Sequence, residues 1–299
     1  MSLKSLFLET RPQFLLLSPI LVFLGMSMAL YDGSFCLSYF LLTVAGLTLL
    51  HTSVNTLNDY SDYKTGIDLK AKRTPFSGGS GFLPGGALTP RAVFWLGTGS
   101  FILAIPIGVY FIIFRGWHLL PIFLLGAVFI FWYTSHITRI GLGAAEIAAG
   151  LGLGTLPVLG TYLILADRFS WPALYASVPS GFLVFNLLLL NELPDADADR
   201  TGKRRTLPII FGYKKAAIIY SALVTLTYAW VVVGVILTIM PAWTLLALLT
   251  LPFGLKAVRG ALSFKSFEEL IPAQGANVMI VLLTQLSMGV GYLIAHFAG

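Results

Sequence analysis

The chain has 299 residues, 57% of them hydrophobic and only 11% charged, with a mean hydropathy of +0.86. Water-soluble domains carry about 25% charged residues, so a soluble globular fold is excluded and long apolar runs must face lipid. The net charge of +6 would point to nucleic acid in a soluble protein, but here the placement of the cations matters more than their sum. No nucleic-acid partner and no obligate protein partner is expected.

Lys4 and Arg11 precede the first apolar run. That run continues from about residue 12 to 30 without a small-residue cleavage site, and reads as a span rather than a signal peptide. Apolar stretches of span length, separated by polar or Gly/Pro-rich segments, predict nine helices near 12–31, 36–57, 91–114, 117–134, 143–165, 172–191, 214–238, 241–257 and 274–296. Pro252 and Gly254 interrupt the eighth. The single cysteine, Cys36, permits no intramolecular disulfide and reads as a small apolar residue. The four histidines lack a ligand spacing, which removes zinc chemistry. With the N-terminus in the cytosol, 17 of the 19 Lys and Arg residues fall on the cytosolic side and only Arg115 and Arg168 outside, the bias that positive-inside topology requires. The expected fold is all-α: one polytopic membrane domain over residues 1–299, in a prokaryotic inner membrane because no organellar targeting segment is evident.

Seven of the 13 carboxylates crowd into two short segments: Asp59, Asp62 and Asp68 within 55–68, and Glu192, Asp195, Asp197 and Asp199 within 191–206. These segments follow the second and sixth helices, so both emerge on one face. The shared pattern Asn55-x-x-x-Asp59 and Asn191-x-x-x-Asp195 suggests a divergent parallel repeat. If both helices extend to the membrane surface, Asn55, Asp59 and Asp62 share one face, as do Asn191, Asp195 and Asp199. Two such faces opposed across a bundle mouth form a hard-oxygen cavity suited to Mg²⁺. Neighbouring cations (Lys64, Lys70, Lys72 and Arg73; Lys203, Arg204 and Arg205) favour a diphosphate site over a bare metal site, because cations must reverse the local sign before a diphosphate can enter. Topology accounts for the Lys and Arg residues unaided, but carboxylates contribute little to it. Asp59, Asp62, Asp195 and Asp199 are therefore the metal candidates, while Asp68, Asp197 and Glu192 are either functional or cap and loop residues.

At these residues the sequence resembles the UbiA superfamily of intramembrane prenyltransferases. Asn58-Asp59-x-x-Asp62 is similar to the family's NDxxD signature. Asp195-x-x-x-Asp199 followed by Gly202-Lys203-Arg204 is similar to its second signature, with an extra Arg205 before Thr206 that leaves open which guanidinium meets phosphate. The resemblance extends to Arg11-Pro12, Tyr133-Thr134, and Gly141-Leu142-Gly143 with Glu146. Tyr63-Lys64-Thr65-Gly66-Ile67-Asp68, Ser77-Gly78-Gly79-Ser80-Gly81 and Leu156-Pro157-Val158-Leu159-Gly160-Thr161-Tyr162 are most similar to the 1,4-dihydroxy-2-naphthoate branch of menaquinone synthesis.

The resemblance implies nine helices around a central cavity, a cytosolic mouth that binds an isoprenyl diphosphate through Mg²⁺, and an apolar interior for the lipid tail. Ionisation of the allylic C–O bond would be followed by attack of an electron-rich ring, with loss of CO₂ in the naphthoate branch. It assigns Asn55, Asp59, Asp62, Asp195 and Asp199 to Mg²⁺, directly or through water. Asn58, Asp68 and Asn191 would bind substrate, Lys64, Lys203 and Arg204 would hold diphosphate, and Arg11 would reach the same mouth. Tyr133 either faces the cation or acceptor or is an interfacial anchor. Arg139 either pairs with an acceptor carboxylate or is one more topology charge. The Gly/Pro-rich residues 74–90 are a spacer or a lid that excludes water, and the glycines at 150–154 are a helix-packing face. A secondary transporter is the competing class, but its carboxylates normally lie near mid-span. Other acceptors in the enzyme class are 4-hydroxybenzoate, homogentisate, haem or a glycerol-phosphate lipid.

Overall fold

A segment that crosses lipid must satisfy its own backbone groups, which restricts a single chain of this composition to helices. The computed structural model describes residues 2–71 and 73–298, and among them there is no strand. Lys72, one of the cations expected beside the first acidic segment, lies outside the described residues. Among the described residues, nine helices are long and apolar enough to cross a membrane: α1 Pro12–Tyr31, α2 Leu37–Thr65, α3 Pro90–Arg115, α4 Trp117–Ile140, α5 Ala144–Ala166, α6 Trp171–Thr201, α7 Leu207–Ile236, α8 Ala242–Ser263 and α9 Phe267–Ala298. A short surface helix, Leu3–Glu9, precedes them, with Ser2 as its N-cap accepting from the Ser5 N–H at 3.0 Å.

The predicted count stands among the described residues, but six boundaries move by six residues or more, including the ends of α4 and α8 at Ile140 and Ser263. α2 continues to Thr65 and α6 to Thr201, so both acidic segments are helical over most of their length, with Asp68 in the turn beyond α2. α7 begins at Leu207, with Pro208 in its first turn and a kink at Gly212. α9 begins at Phe267, ahead of the apolar run that marked it. Pro252 marks a change of helix type within α8 and does not end the span. A 3₁₀ segment, Ala242–Thr250, gives way to an α-helix starting at Leu251, and Pro252 occupies its first turn, where a missing N–H costs nothing.

Two features of packing position the cavity. The glycines of α5 meet α6 backbone to backbone: a Cβ on Gly154 would lie 2.5 Å from the Ser180 carbonyl oxygen, and one on Gly150 2.7 Å from that of Gly181. Only glycine permits this approach, as the packing-face reading required. Between α6, α7 and α9, buried polar side chains pair off. Asn186 Nδ2 donates to the Tyr220 carbonyl (3.0 Å), Tyr220 Oη to Asn277 Oδ1 (2.9 Å), and Asn277 Nδ2 to the Asn186 carbonyl (3.3 Å). Away from water such bonds fix which helix faces meet.

Candidate active site

The C-terminal turns of α2 and α6 converge on the mouth of a cavity of about 270 Å³. Asn55, Asn58 and Asp62 from α2, and Asn191, Asp195 and Asp199 from α6, line it together with Arg11, Asp68, Tyr133 and Arg204. Asp59 is buried beside them. Deeper in, the wall turns apolar with Leu50, Val54, Phe129, Ile130 and Leu187. A second cavity of about 320 Å³, lined almost wholly by apolar side chains, shares Leu47, Leu50, Gly126 and Gly152 with the first. Gly152 thus belongs to the cavity wall, unlike its packing neighbours Gly150 and Gly154.

Buried carboxylates need partners, and each cluster finds them differently. Arg11 pairs with Asp59, whose other oxygen accepts the Ser80 N–H at 2.8 Å. Arg204 joins the two clusters: it pairs with Asp62 from α2 and, at 2.7 Å, with Asp199 from α6. Asp195 accepts the Gly78 N–H at 3.2 Å, and its Oδ1 is buried without a partner. The Gly/Pro-rich residues therefore lie across both motifs, as a lid does, and donate backbone N–H groups to each. Gly79 has φ +72°, and a Cβ there would come within 2.9 Å of both Asp68 carboxylate oxygens. A small apolar cluster of Leu83, Leu88 and Val93, packed by Leu6, Tyr60, Tyr63 and Phe82, anchors the segment.

The N-terminal segment completes the mouth. Ser80 Oγ donates to Glu9 Oε2 at 2.5 Å, and Asn55 Nδ2 donates to the Thr10 carbonyl at 3.1 Å. Burial, and then the nearby Asp59 charge, pushes the Glu9 carboxyl up to about 7. The same two causes raise Asp68 to about 7 against the opposing pull of Arg11, Arg204 and Arg73. Burial disfavours the charge of Arg204, but Asp62 and Asp199 more than offset it and its pKa is raised.

The donor set suits Mg²⁺. All candidate donors are hard oxygens, and Asp195 offers one that nothing else satisfies. Among the described residues no three acidic, His or Cys side chains converge tightly enough to hold a metal unaided. Mg²⁺ does not ask for that, since it takes one or two carboxylates and completes its shell with water and phosphate oxygens. Arg11 and Arg204 stand where those carboxylates call for positive charge.

Not every sequence candidate reaches the cavity. Lys64 follows Asp62 by two helical positions, which turns it to the opposite face; it is exposed, 5.7 Å from the Tyr60 ring centroid. Lys203 is exposed at φ 62°, and Arg139 is exposed outside the cavity lining. Of the paired arginines, Arg204 faces the carboxylates, whereas Arg205 is exposed and its N–H donates to the Thr138 carbonyl at 2.7 Å. Asp197 pairs with Arg200 at 3.0 Å on the solvent side. Tyr133, open to either reading from sequence, lines the cavity. Asn58 Nδ2 donates to Thr134 Oγ1 at 2.9 Å, and Asn191 Oδ1 accepts from Gln274 Nε2 at 3.2 Å. Sequence reasoning missed Glu9, whose only signal was an acid among basic N-terminal residues. It also missed His51, which lines the cavity and pairs through Nδ1 with Ser18 Oγ at 2.9 Å.

The model of the UbiA prenyltransferase family matches residues 16–267. A 1,4-dihydroxy-2-naphthoate octaprenyltransferase of Bacillus subtilis (strain 168) is 27% identical over 289 residues, which span 96% of this chain and 92% of the relative. The apo structure of a UbiA homolog from Aeropyrum pernix K1 superposes with a TM-score of 0.72 at 18% identity, covering 94% of this chain and 97% of that one. A UbiA homolog from Archaeoglobus fulgidus, solved bound to GPP and Mg²⁺, does so with a TM-score of 0.64 at 13% identity, covering 95% and 99%.

Proposed function

The chain belongs to the UbiA prenyltransferase family, and from that premise we propose that it transfers a prenyl group from an isoprenyl diphosphate to 1,4-dihydroxy-2-naphthoate, acting with Mg²⁺ as one membrane domain. The observation that carries this reading is the shape of the site: two acidic motifs at the mouth of a cavity whose far end is apolar and adjoins a second apolar chamber. A diphosphate head on a long hydrocarbon tail needs that combination, and a transporter of small polar solutes does not. The acceptor follows the name carried by the Bacillus subtilis relative.

Mg²⁺ held by Asp59, Asp62, Asp195 and Asp199, directly or through water, would supply Lewis-acid stabilisation to the departing diphosphate. The chain's own residues do the rest. Arg11 and Arg204 turn from carboxylate to phosphate oxygens, for which guanidinium is well matched. The N–H groups of Gly78 and Ser80 cover the head group and keep water from the allylic cation. Asn55, Asn58, Asp68 and Asn191 shape the wall on which the head group and the acceptor are oriented. The ring face of Tyr133 favours positive charge at the reacting carbon. Leu50, Val54 and Phe129 take the first isoprene units, and the second chamber takes the remainder of the tail. Lys64 and Lys203, outside the cavity, act only by attracting the diphosphate over distance, and Arg139 serves topology. The mouth faces the cytosol of a prokaryotic inner membrane, supported by the crowding of Lys and Arg beside both motifs.

The test is prenyl transfer by the detergent-purified chain from geranylgeranyl or farnesyl diphosphate, with Mg²⁺ varied. 1,4-Dihydroxy-2-naphthoate and 4-hydroxybenzoate are offered in parallel. Mg²⁺-dependent product from the naphthoate is expected. Product from the benzoate alone would replace the acceptor, and no transfer with either would return the transporter reading.

A further inference from the structure

The surface helix Leu3–Glu9 is inside out. Its neighbouring rows Leu3–Phe7 and Lys4–Leu8 point outward, with Leu3 86% and Phe7 61% exposed, whereas Glu9 on the opposite side is fully buried. A helix on the surface of a protein in water does the reverse, turning its apolar stripe to the core and its charges to solvent. Seven residues are also too few for a helix to persist unaided. Both faces must therefore be held by what they touch.

The inward face is held by the mouth. Leu6 packs on Leu83, Leu88 and Val93, the cluster that anchors the Gly/Pro-rich segment. Ser80 Oγ donates to Glu9, Asn55 Nδ2 donates to the Thr10 carbonyl, and Arg11 pairs with Asp59. Three consecutive residues at the end of this helix thus reach the lid, α2 and the first acidic motif.

The height of the helix identifies what meets its outward face. Val93, which Leu6 touches, lies on α3 between Arg91 and the exposed Trp95. A cation followed by an outward tryptophan marks the membrane–water interface at the end of a span. Only Thr10 and Arg11 separate the helix from the start of α1 at Pro12. At that height Leu3, Phe7 and Leu8 meet the edge of the hydrocarbon. Lys4 shares its row with Leu8, so its stem can lie along the apolar face while its ammonium meets headgroup phosphate.

We propose that this helix lies in the bilayer interface with Leu3, Phe7 and Leu8 in lipid, and that this seating holds the mouth closed through Glu9, Thr10 and Arg11. The partner is the lipid surface itself, and the coupling holds whatever the cavity transfers. Unseating the outward face pulls Glu9 from Ser80, and with it the Ser80 N–H that covers Asp59.

The full chain carrying Cys36→Ser is reconstituted in vesicles of phosphatidylethanolamine and phosphatidylglycerol, with a nitroxide at Leu3→Cys or Phe7→Cys. Leu103→Cys, exposed at the middle of α3, gives the lipid reference, and Arg200→Cys at the end of α6 gives the water reference. Relaxation by oxygen and by a water-soluble nickel chelate should place both labels about 5–10 Å into the headgroup–acyl boundary. Accessibility equal to that at Arg200 overturns the proposal. So does spin–spin broadening at position 7 that vanishes on dilution with unlabelled chain, because a second copy would then cover the face. Closure is read by hydrogen exchange over residues 77–81 in the unlabelled vesicles. Leu3→Ser combined with Phe7→Ser should speed exchange of the Ser80 N–H by about tenfold while the middle of α6 keeps its protection. Exchange at the wild-type rate in that variant overturns the coupling. Should the double variant not insert, Phe7→Ser alone replaces it, and the label depths stand independently of either.

Discussion

The two acidic clusters read as near copies in sequence and share Arg204 and the Gly/Pro-rich segment, yet the rest of their surroundings differs. The α2 cluster is met by non-helical chain: Arg11 and the Ser80 N–H on Asp59, and the Thr10 carbonyl on Asn55. The α6 cluster is met by Gln274 of α9 on Asn191, by Arg204 on Asp199, and by a single N–H on Asp195, whose second oxygen is bare. Duplication, if it occurred, preserved the donor faces and not what covers them. The α2 half is closed over by the N-terminal segment as well, whereas the α6 half adds Gln274 of α9 and is left less satisfied.

That contrast can be broken most sharply at the carboxylates. If both halves serve one Mg²⁺–diphosphate, Asp59→Ala and Asp195→Ala should each lower transfer by about 10²–10³-fold, as losing a main charge-stabilising group does. A steady-state assay in which either variant keeps near wild-type activity would make the halves unequal in function as well as in surroundings. The next effect is on stability. Arg204 is 11% exposed and is the only cation joining the halves among the described residues, so Arg204→Ala leaves two buried carboxylates uncompensated. In Mg²⁺-free denaturation it should cost about 3–5 kcal/mol, and added Mg²⁺ should restore part of the loss.

The closing segments carry a pH signature of their own. Glu9 holds its proton to about pH 7 in the folded chain, against an ordinary value of 4.5. The folded state therefore binds the extra proton between those values, and stability falls as pH rises through that window. Glu9→Gln, titrated without Mg²⁺, should flatten the decline by on the order of 1–3 kcal/mol. The smallest effects belong to the cations outside the cavity. Lys64→Ala, Lys203→Ala and Arg139→Ala should each change transfer by less than about threefold, since exposed charges act weakly through water. A larger loss at Lys64 or Lys203 would mean that the mouth rearranges around its substrate.

Much of this was legible in advance, for identifiable reasons. Span length and loop charge are set by the bilayer, which is why nine helices and the shared face of the two motifs could be read from composition. Asp59, Asp62, Asp195 and Asp199 stood out because clustered carboxylates have no topological role. What could not be read was which cation reaches inward. Lys64, Arg139 and Lys203 look as good as Arg11 and Arg204 in a string of letters. Only the helix phase after Asp62, and the turn after α6 that sends Arg204 in and Lys203 and Arg205 out, separates them. Glu9 was hidden because its partner, Ser80, is distant in sequence and meets it through a loop.

The wide π turn at Tyr133–Ile137 bears on how this helix is compared with others. A π turn holds one residue more than the α turn it replaces, so the stretches of α4 on either side run out of phase by about 100°. Below it Tyr133 lines the cavity, and beyond it Thr138 does so too, although the two would not share a face of an unbroken helix. Deleting a single residue such as Ser135 would restore a regular α-helix with Thr138 four positions after Tyr133, on the same face and still on the wall. An alignment that slips by one position here would pair cavity residues with lipid-facing ones for the rest of the helix.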